Sequence, residues 1–467
     1  MVPDRNHDTA QLDRFAHLSG DGVGHWLRAS ALSFPPLSQD RLMDHFNYKD
    51  GVLCAEDVPL AQIAEAVGTP VYVYSTATLT RHFQQFQKAL DWTDHLVCFA
   101  VKSNSNIAVL KVLGDLGAGM DVVSGGEYAR AKAAGVPGER IVFSGVGKTE
   151  DEMRLALEGG IRQFNVESEP ELLLLSEVAT SLGVTAPIAL RVNPDVDAHT
   201  HEKIATGKSD NKFGIPIAKS RAVYALAASL PGIEVVGVDM HIGSQLTELE
   251  PFRQAYAKMA ELVTALREDG HDIRRLDMGG GLGIPYRRDN NAPPLPVEYG
   301  KVVREAVGHL GCEIEIEPGR NISGNAGILL SSVIYLKEGE GRDFLILDAA
   351  MNDLMRPAMY GAHHDIVPVI EPELAAEVAP FDVVGPVCES GDTFEKGMQL
   401  NRFAAGDLVA FRSAGAYGAV MASEYNTRPL VPEVLVSGDQ FAVIRARPSI
   451  EEIIARDAIP GWMTAKS

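Results

Sequence analysis

The sequence predicts an α/β protein: a (β/α)8 TIM-like barrel joined to a mainly antiparallel β domain. Three observations predict it. Eight short apolar runs alternate with helical stretches over about 240 residues, the arithmetic of such a barrel. Most of those runs end in a polar residue or glycine, and in a barrel such ends converge on one mouth. Beyond about residue 325 the helical stretches thin out and strand follows strand. A chain of 467 residues also exceeds one ordinary core, so two domains are expected.

Residues 1–40 form an N-terminal extension, mixed in composition and poorly periodic. A short helix over 25–32 is closed by Pro35-Pro36. Residues 41–75 read as a strand, a turn at Asp50-Gly51 and a second strand. A helix over 60–67 ends at Gly68, and a strand over 71–74 follows. Ser75 then caps a helix running to about residue 90. These strands are expected to join the C-terminal sheet. That makes the barrel, residues 76–325, an insertion between 41–75 and 326–467.

The eight barrel strands fall at 97–101, 120–123, 141–143, 163–166, 188–192, 235–242, 275–278 and 313–317. Helical patterns such as 127–134, 150–157, 170–182, 217–230 and 251–269 separate them. An open doubly wound sheet would need a dinucleotide fingerprint after its first strand, and none is present. The C-terminal strands fall at 328–336, 342–347, 381–387, 407–412, 433–436 and 441–446. Pro432 suits the start of a strand, not its centre.

The formal net charge of −21 argues against nucleic acid as a partner, because a phosphate backbone would be repelled. Cys54, Cys98, Cys312 and Cys388 are scattered, without metal-ligand spacing, so no metal is expected. They read as free thiols of a reducing compartment, the cytoplasm. No apolar run reaches 18 residues and no signal peptide is evident, so neither a membrane span nor secretion is expected.

Cys98-Phe99-Ala100-Val101-Lys102 is an apolar run closed by a lysine. At the mouth of a barrel such an ammonium loses hydration. That lowers its pKa and favours the amine that forms Schiff bases; a plain surface lysine is the alternative. His241 also ends a strand, either as a core histidine or as a flat ring stacked on a flat cofactor. Ser244 lies three residues on. Gly279-Gly280-Gly281 lets backbone N–H groups approach a phosphate, or is a simple turn. Glu317-Pro318-Gly319-Arg320 offers a carboxylate for a pyridinium nitrogen and an arginine for an anion, or else an ordinary ion pair. In the β domain, Cys388-Glu389 follows an apolar strand, and Tyr417 stands between small residues. Arg356 and Tyr360 would share one face if their segment were helical, which Pro357 weakens.

Taken together, these pieces resemble the diaminopimelate decarboxylases. These are fold-type III pyridoxal-phosphate enzymes related to alanine racemase and eukaryotic ornithine decarboxylase. The resemblance rests on Phe99-Ala100-Val101-Lys102-Ser103-Asn104, His201-Glu202-Lys203-Ile204-Ala205-Thr206-Gly207 with Lys212-Phe213-Gly214-Ile215, His241-Ile242-Gly243-Ser244, Gly279-Gly280-Gly281, Glu317-Pro318-Gly319-Arg320, Cys388-Glu389-Ser390-Gly391-Asp392 and Ala416-Tyr417-Gly418. They occur in the family's order across about residues 45–445. Ser103 departs from the alanine often found there.

The resemblance implies an alanine racemase-like fold and a role for each position. Lys102 would carry pyridoxal 5'-phosphate and His241 would stack on its ring. Ser244, Gly279, Gly280, Gly281, Gly319 and Tyr417 would hold the phosphate, with backbone near Arg320. Glu317 would pair with the ring nitrogen. Arg320, Arg356, Tyr360 and Tyr417 would bind substrate, the two arginines and Tyr360 through its distal carboxylate. Glu389 would take the distal ammonium, and Cys388 would donate the proton. Cys388 and Glu389 would come from the partner subunit of a homodimer with shared active sites. The implied reaction is decarboxylation of meso-2,6-diaminopimelate to L-lysine, the last step of lysine biosynthesis. The alternative on the same fold is a decarboxylase of ornithine, arginine or carboxynorspermidine. A non-catalytic relative would have lost Lys102 or Cys388, and both are present.

Overall fold

Strands His95–Ala100, Gly119–Val122, Ile141–Phe143, Gln163–Val166, Ala186–Asn193, Ile233–Asp239, Arg275–Asp277 and Glu313–Ile316 run parallel. Each pairs with the next, and the eighth pairs back onto the first through Ile314 and His95, which closes the barrel. The computed structural model describes residues 44–197, 212–287, 292–373 and 375–464. The extension read at 1–40 and the His201–Gly207 part of the family pattern lie outside the described residues.

The strands are buried on both faces, which is why they read as unbroken apolar runs. Phe143 and Phe164 stack at 6.0 Å on neighbouring strands. The helices between them begin on local signals. Thr149 and Glu152 form a capping box at Glu150–Glu158, satisfying two orphan backbone donors. Ser124 and Ser168, which end two strands at the mouth, accept backbone N–H bonds from Glu127 and Glu171. Those hydroxyls are therefore spent on helix starts.

The second sheet is built on Gly327–Lys337. One half of this long strand pairs with Val71–Ser75 and Leu408–Phe411, and the other half with Asp343–Leu347. Val378–Val384 and Thr393–Asn401 extend one side, and Glu433–Ser437 and Gln440–Arg445 the other. Most neighbours are antiparallel. Two pairs are parallel: Asp343–Leu347 with Val378–Val384, and Glu433–Ser437 with Val71–Ser75.

Three features differ from the sequence reading. Among the described strands before residue 76, Val71–Ser75 alone enters this sheet. Phe46–Lys49 and Val52–Ala55 form a small sheet of their own with Val58–Pro59. It packs through Phe46 and Leu53 onto Val71, Val73 and Ile328. Strand Thr393–Asn401 was not legible, because Lys396-Gly397 breaks its alternation. Arg356–Tyr360 is a helix despite Pro357, which sits in its first turn, where a missing N–H costs nothing.

Candidate active site

Lys102 follows the first barrel strand in a single 3-10 turn, Val101–Ser103. Its Nζ donates to Asp121 Oδ2 at 2.6 Å. Burial disfavours the ammonium, but Asp121, Glu317 and Tyr417 outweigh it and hold its pKa above the ordinary lysine value. This corrects the expectation of a depressed pKa. Desolvation acts as anticipated, but the sequence did not reveal a buried acid on the neighbouring strand. Asp121 is fully buried, and among the described residues its Oδ1 has no hydrogen-bond partner. Ser103 donates to Ala100 O at 2.8 Å and accepts from Ser323 Oγ at 3.2 Å. The hydroxyl that departs from the family pattern is therefore satisfied where it is buried.

Lys102, His241, Ser244, Gly281, Glu317, Gly319, Arg320 and Tyr417 line one cavity at this mouth. At its floor, carboxylate oxygens of Asp239, Asp277 and Glu317 lie within 4.8 Å of one another, and all three residues are buried. Burial, reinforced by the neighbouring acids, raises all three pKa values. Asn165 Nδ2 bridges Asp277 Oδ2 at 3.0 Å and Glu317 Oε1 at 3.3 Å. Ser144 Oγ also donates to Glu317 Oε1, at 3.1 Å. Arg191 faces the cluster, with Nε 3.9 Å from Asp239 and Nη1 3.0 Å from Glu167.

His241 accepts the Gly280 N–H on Nδ1 at 3.1 Å. Burial, with Arg191 and Lys102 nearby, lowers its pKa well below the ordinary value and keeps the ring neutral. The glycine loop has no room for side chains. A Cβ on Gly280 would lie 2.2 Å from Glu317 O, and one on Gly281 would lie 2.3 Å from Gly243 O. Gly279 and Gly281 also have positive φ values, which glycine adopts at no steric cost.

Above the floor stand two guanidiniums. Arg320 Nη1 donates to the Tyr286 hydroxyl at 2.5 Å, and Nε and Nη2 donate to Ser244 Oγ at 3.3 and 3.0 Å. Its guanidinium also stacks 4.8 Å from the Tyr417 ring. Arg356 lies 4.4 Å over the Tyr286 ring, and its Nη1 donates to His364 Nε2 at 2.8 Å. Both arginines are buried. Among the described residues, no carboxylate pairs with either. Tyr360 stands four residues from Arg356 on the same short helix. Tyr417 N–H donates to Ser103 O at 2.8 Å, joining the β domain to the lysine turn.

Cys388 and Glu389 do not line this cavity. They lie between strands Val378–Val384 and Thr393–Asn401, and both are exposed. Cys388 N–H donates to Asn426 Oδ1 at 3.2 Å.

Sequence reasoning missed Asp121, Asn165, Arg191, Asp239, Asp277, Tyr286 and His364. The first five lie inside strands read as apolar, where a buried polar residue is itself a sign of function.

Residues 76–324 match the family model described as "Pyridoxal-dependent decarboxylase, pyridoxal binding domain". A relative from Pseudomonas aeruginosa, a diaminopimelate decarboxylase, is 53% identical, over 89% of this chain and 99% of its own. One from Zymomonas mobilis, with the same name, is 50% identical, over 90% of this chain and 99% of its own. The crystal structure of diaminopimelate decarboxylase from Helicobacter pylori complexed with L-lysine superposes with a TM-score of 0.81 at 39% identity. That match covers 85% of this chain and 98% of the other.

Proposed function

This chain belongs to the diaminopimelate decarboxylase family of pyridoxal-dependent decarboxylases, and we propose that it converts meso-2,6-diaminopimelate to L-lysine and CO2. The observation that carries the substrate assignment is the pair of buried guanidiniums, Arg320 and Arg356, held among the described residues by neutral partners. A buried cation without a counter-ion is costly unless a ligand supplies one. Ornithine and lysine have no distal carboxylate to offer; diaminopimelate has one.

The residues present fit pyridoxal phosphate. Three clustered carboxylates at the floor call for a cation, and a protonated ring nitrogen is one. Of the glycine loop, Gly281 lines the cavity beside Ser244 and Tyr417 and offers backbone to a phosphate. Lys102 supplies the amine. When bound, the cofactor supplies an electron sink for the pair left when the Cα–carboxylate bond breaks.

The chain's own residues do the rest. Lys102 holds the cofactor through its Nζ. Glu317, steadied by Ser144 and Asn165, keeps the proton on the ring nitrogen, and neutral His241 covers the ring without competing for that charge. Arg320, Arg356 and Tyr360 bind the distal carboxylate. That fixes which of the two amino-acid heads lies over Lys102. The proton that replaces CO2 on Cα comes from the Cys388 thiol, and Glu389 receives the distal ammonium.

Exposure of Cys388 and Glu389, away from their own chain's cavity, supports a homodimer in which each subunit completes its partner's site. Four free thiols support a reducing compartment, and we place the enzyme in the cytoplasm. Among the described residues, no helix is long and apolar enough to cross a membrane.

Product analysis tests the assignment. The protein supplied with pyridoxal phosphate and meso-diaminopimelate releases CO2 and L-lysine in equal amounts; release from ornithine or arginine instead overturns it. Mixing tests the shared site. Lys102→Arg and Cys388→Ala proteins are each inactive, but refolded together in equal amounts they regain about a quarter of wild-type activity, because half the dimers keep one intact site. No recovery places both residues in one subunit's site.

A further inference from the structure

We infer that His364 and Tyr286 are positioning residues that set Arg356 and Arg320 as one anion clamp while leaving its charge unspent. The inference rests on the proposed substrate and names the groups that select it.

His364 is buried, and its ring nitrogens face opposite ways. Nδ1 lies 2.9 Å from the carbonyl oxygen of Arg412, and Nε2 lies 2.8 Å from Arg356 Nη1. A carbonyl can only accept, so Nδ1 carries the ring proton. Nε2 then keeps its lone pair and accepts from the guanidinium. The geometry fixes one neutral tautomer and, through it, the direction of Arg356. Arg412 is itself anchored, its Nη2 donating to Asp44 Oδ1 at 2.8 Å and Phe46 O at 3.0 Å.

Tyr286 touches all the other members. Its ring meets His364 edge-on, with centroids 5.2 Å apart and planes at 79°. Arg356 lies over its face, and its hydroxyl accepts from Arg320. Two guanidiniums on one tyrosine repel each other, and a glutamate in place of either holder would relieve that repulsion. It would also neutralise the clamp before any substrate arrived. Neutral holders keep both forks aimed and both charges available, so a ligand carboxylate is the group that completes the site.

The test compares wild type, His364→Gln, His364→Leu and Tyr286→Phe, loaded with cofactor, with kcat and KM for meso-diaminopimelate measured separately. Glutamine can accept from Arg356 and donate to the Arg412 carbonyl; leucine can do neither. His364→Leu raises KM about 10- to 100-fold with kcat within about 3-fold, because a hydrogen bond to a charged group is lost. His364→Gln restores KM to within about 5-fold of wild type, since it keeps both bonds. Tyr286→Phe removes only the hydroxyl on Arg320. It raises KM about 5- to 30-fold, and it decides the matter alone if His364→Leu does not fold. Unchanged KM in His364→Leu or in Tyr286→Phe overturns the inference, as does equal damage from leucine and glutamine. Wild type that makes no lysine overturns the substrate reading instead.

Discussion

Lys102→Arg melts like wild type and yet retains no covalently held cofactor. Its turnover falls by more than about 10³-fold, because the nucleophilic amine is gone. The variant is chosen for what it keeps. Lys102 Nζ is paired with the buried carboxylate of Asp121 at 2.6 Å. Alanine would strand that acid, so a loss of activity could be a loss of fold. Arginine keeps the ion pair, but its guanidinium stays protonated at any working pH and cannot condense with an aldehyde. Borohydride reduction followed by peptide mass analysis separates the cases. Wild type gains a phosphopyridoxyl group on the peptide that holds Lys102, and Lys102→Arg gains none anywhere. A variant that fixes the cofactor, or turns over as wild type, ends the assignment of this lysine.

That same pair shows where the sequence stopped being legible. The eight barrel strands were readable to within a few residues because each is a short apolar run between helical periods. Burial on both faces leaves exactly that trace in composition, though no more than that. Asp121, Asp239 and Asp277 sit inside such runs, and nothing local says that the last two meet Glu317 on one floor. Asp121, with Glu317 and Tyr417, reversed the Lys102 pKa expected from burial alone. Lys102, His241, the glycine loop and Glu317 were legible because they end strands, and strand ends converge. Tyr286 and His364 lie in loops and act on arginines that are distant in the chain, so only three-dimensional contact reveals them. Pro357 misled in the other direction: a proline that breaks a helix interior is welcome in its first turn.

Arg356→Ala raises KM for meso-diaminopimelate far more than it slows a minimal substrate such as L-lysine. Truncating one partner of a buried charge pair costs about 2–5 kcal/mol, on the order of 10²-fold or more in kcat/KM. L-lysine has no distal carboxylate, so its slow turnover should change by less than about 3-fold. Burial, with Arg320 close by, lowers the Arg356 pKa, so folding disfavours this charge. Its removal also leaves the buried His364 Nε2 without its donor, so the two changes oppose each other in the ligand-free protein. The difference appears when ligand is added. Diaminopimelate raises the melting temperature of wild type by binding only the folded state, and at the same concentration it does so much less for Arg356→Ala. Equal losses on both substrates, or equal stabilisation by ligand in both proteins, would show that the distal carboxylate binds elsewhere.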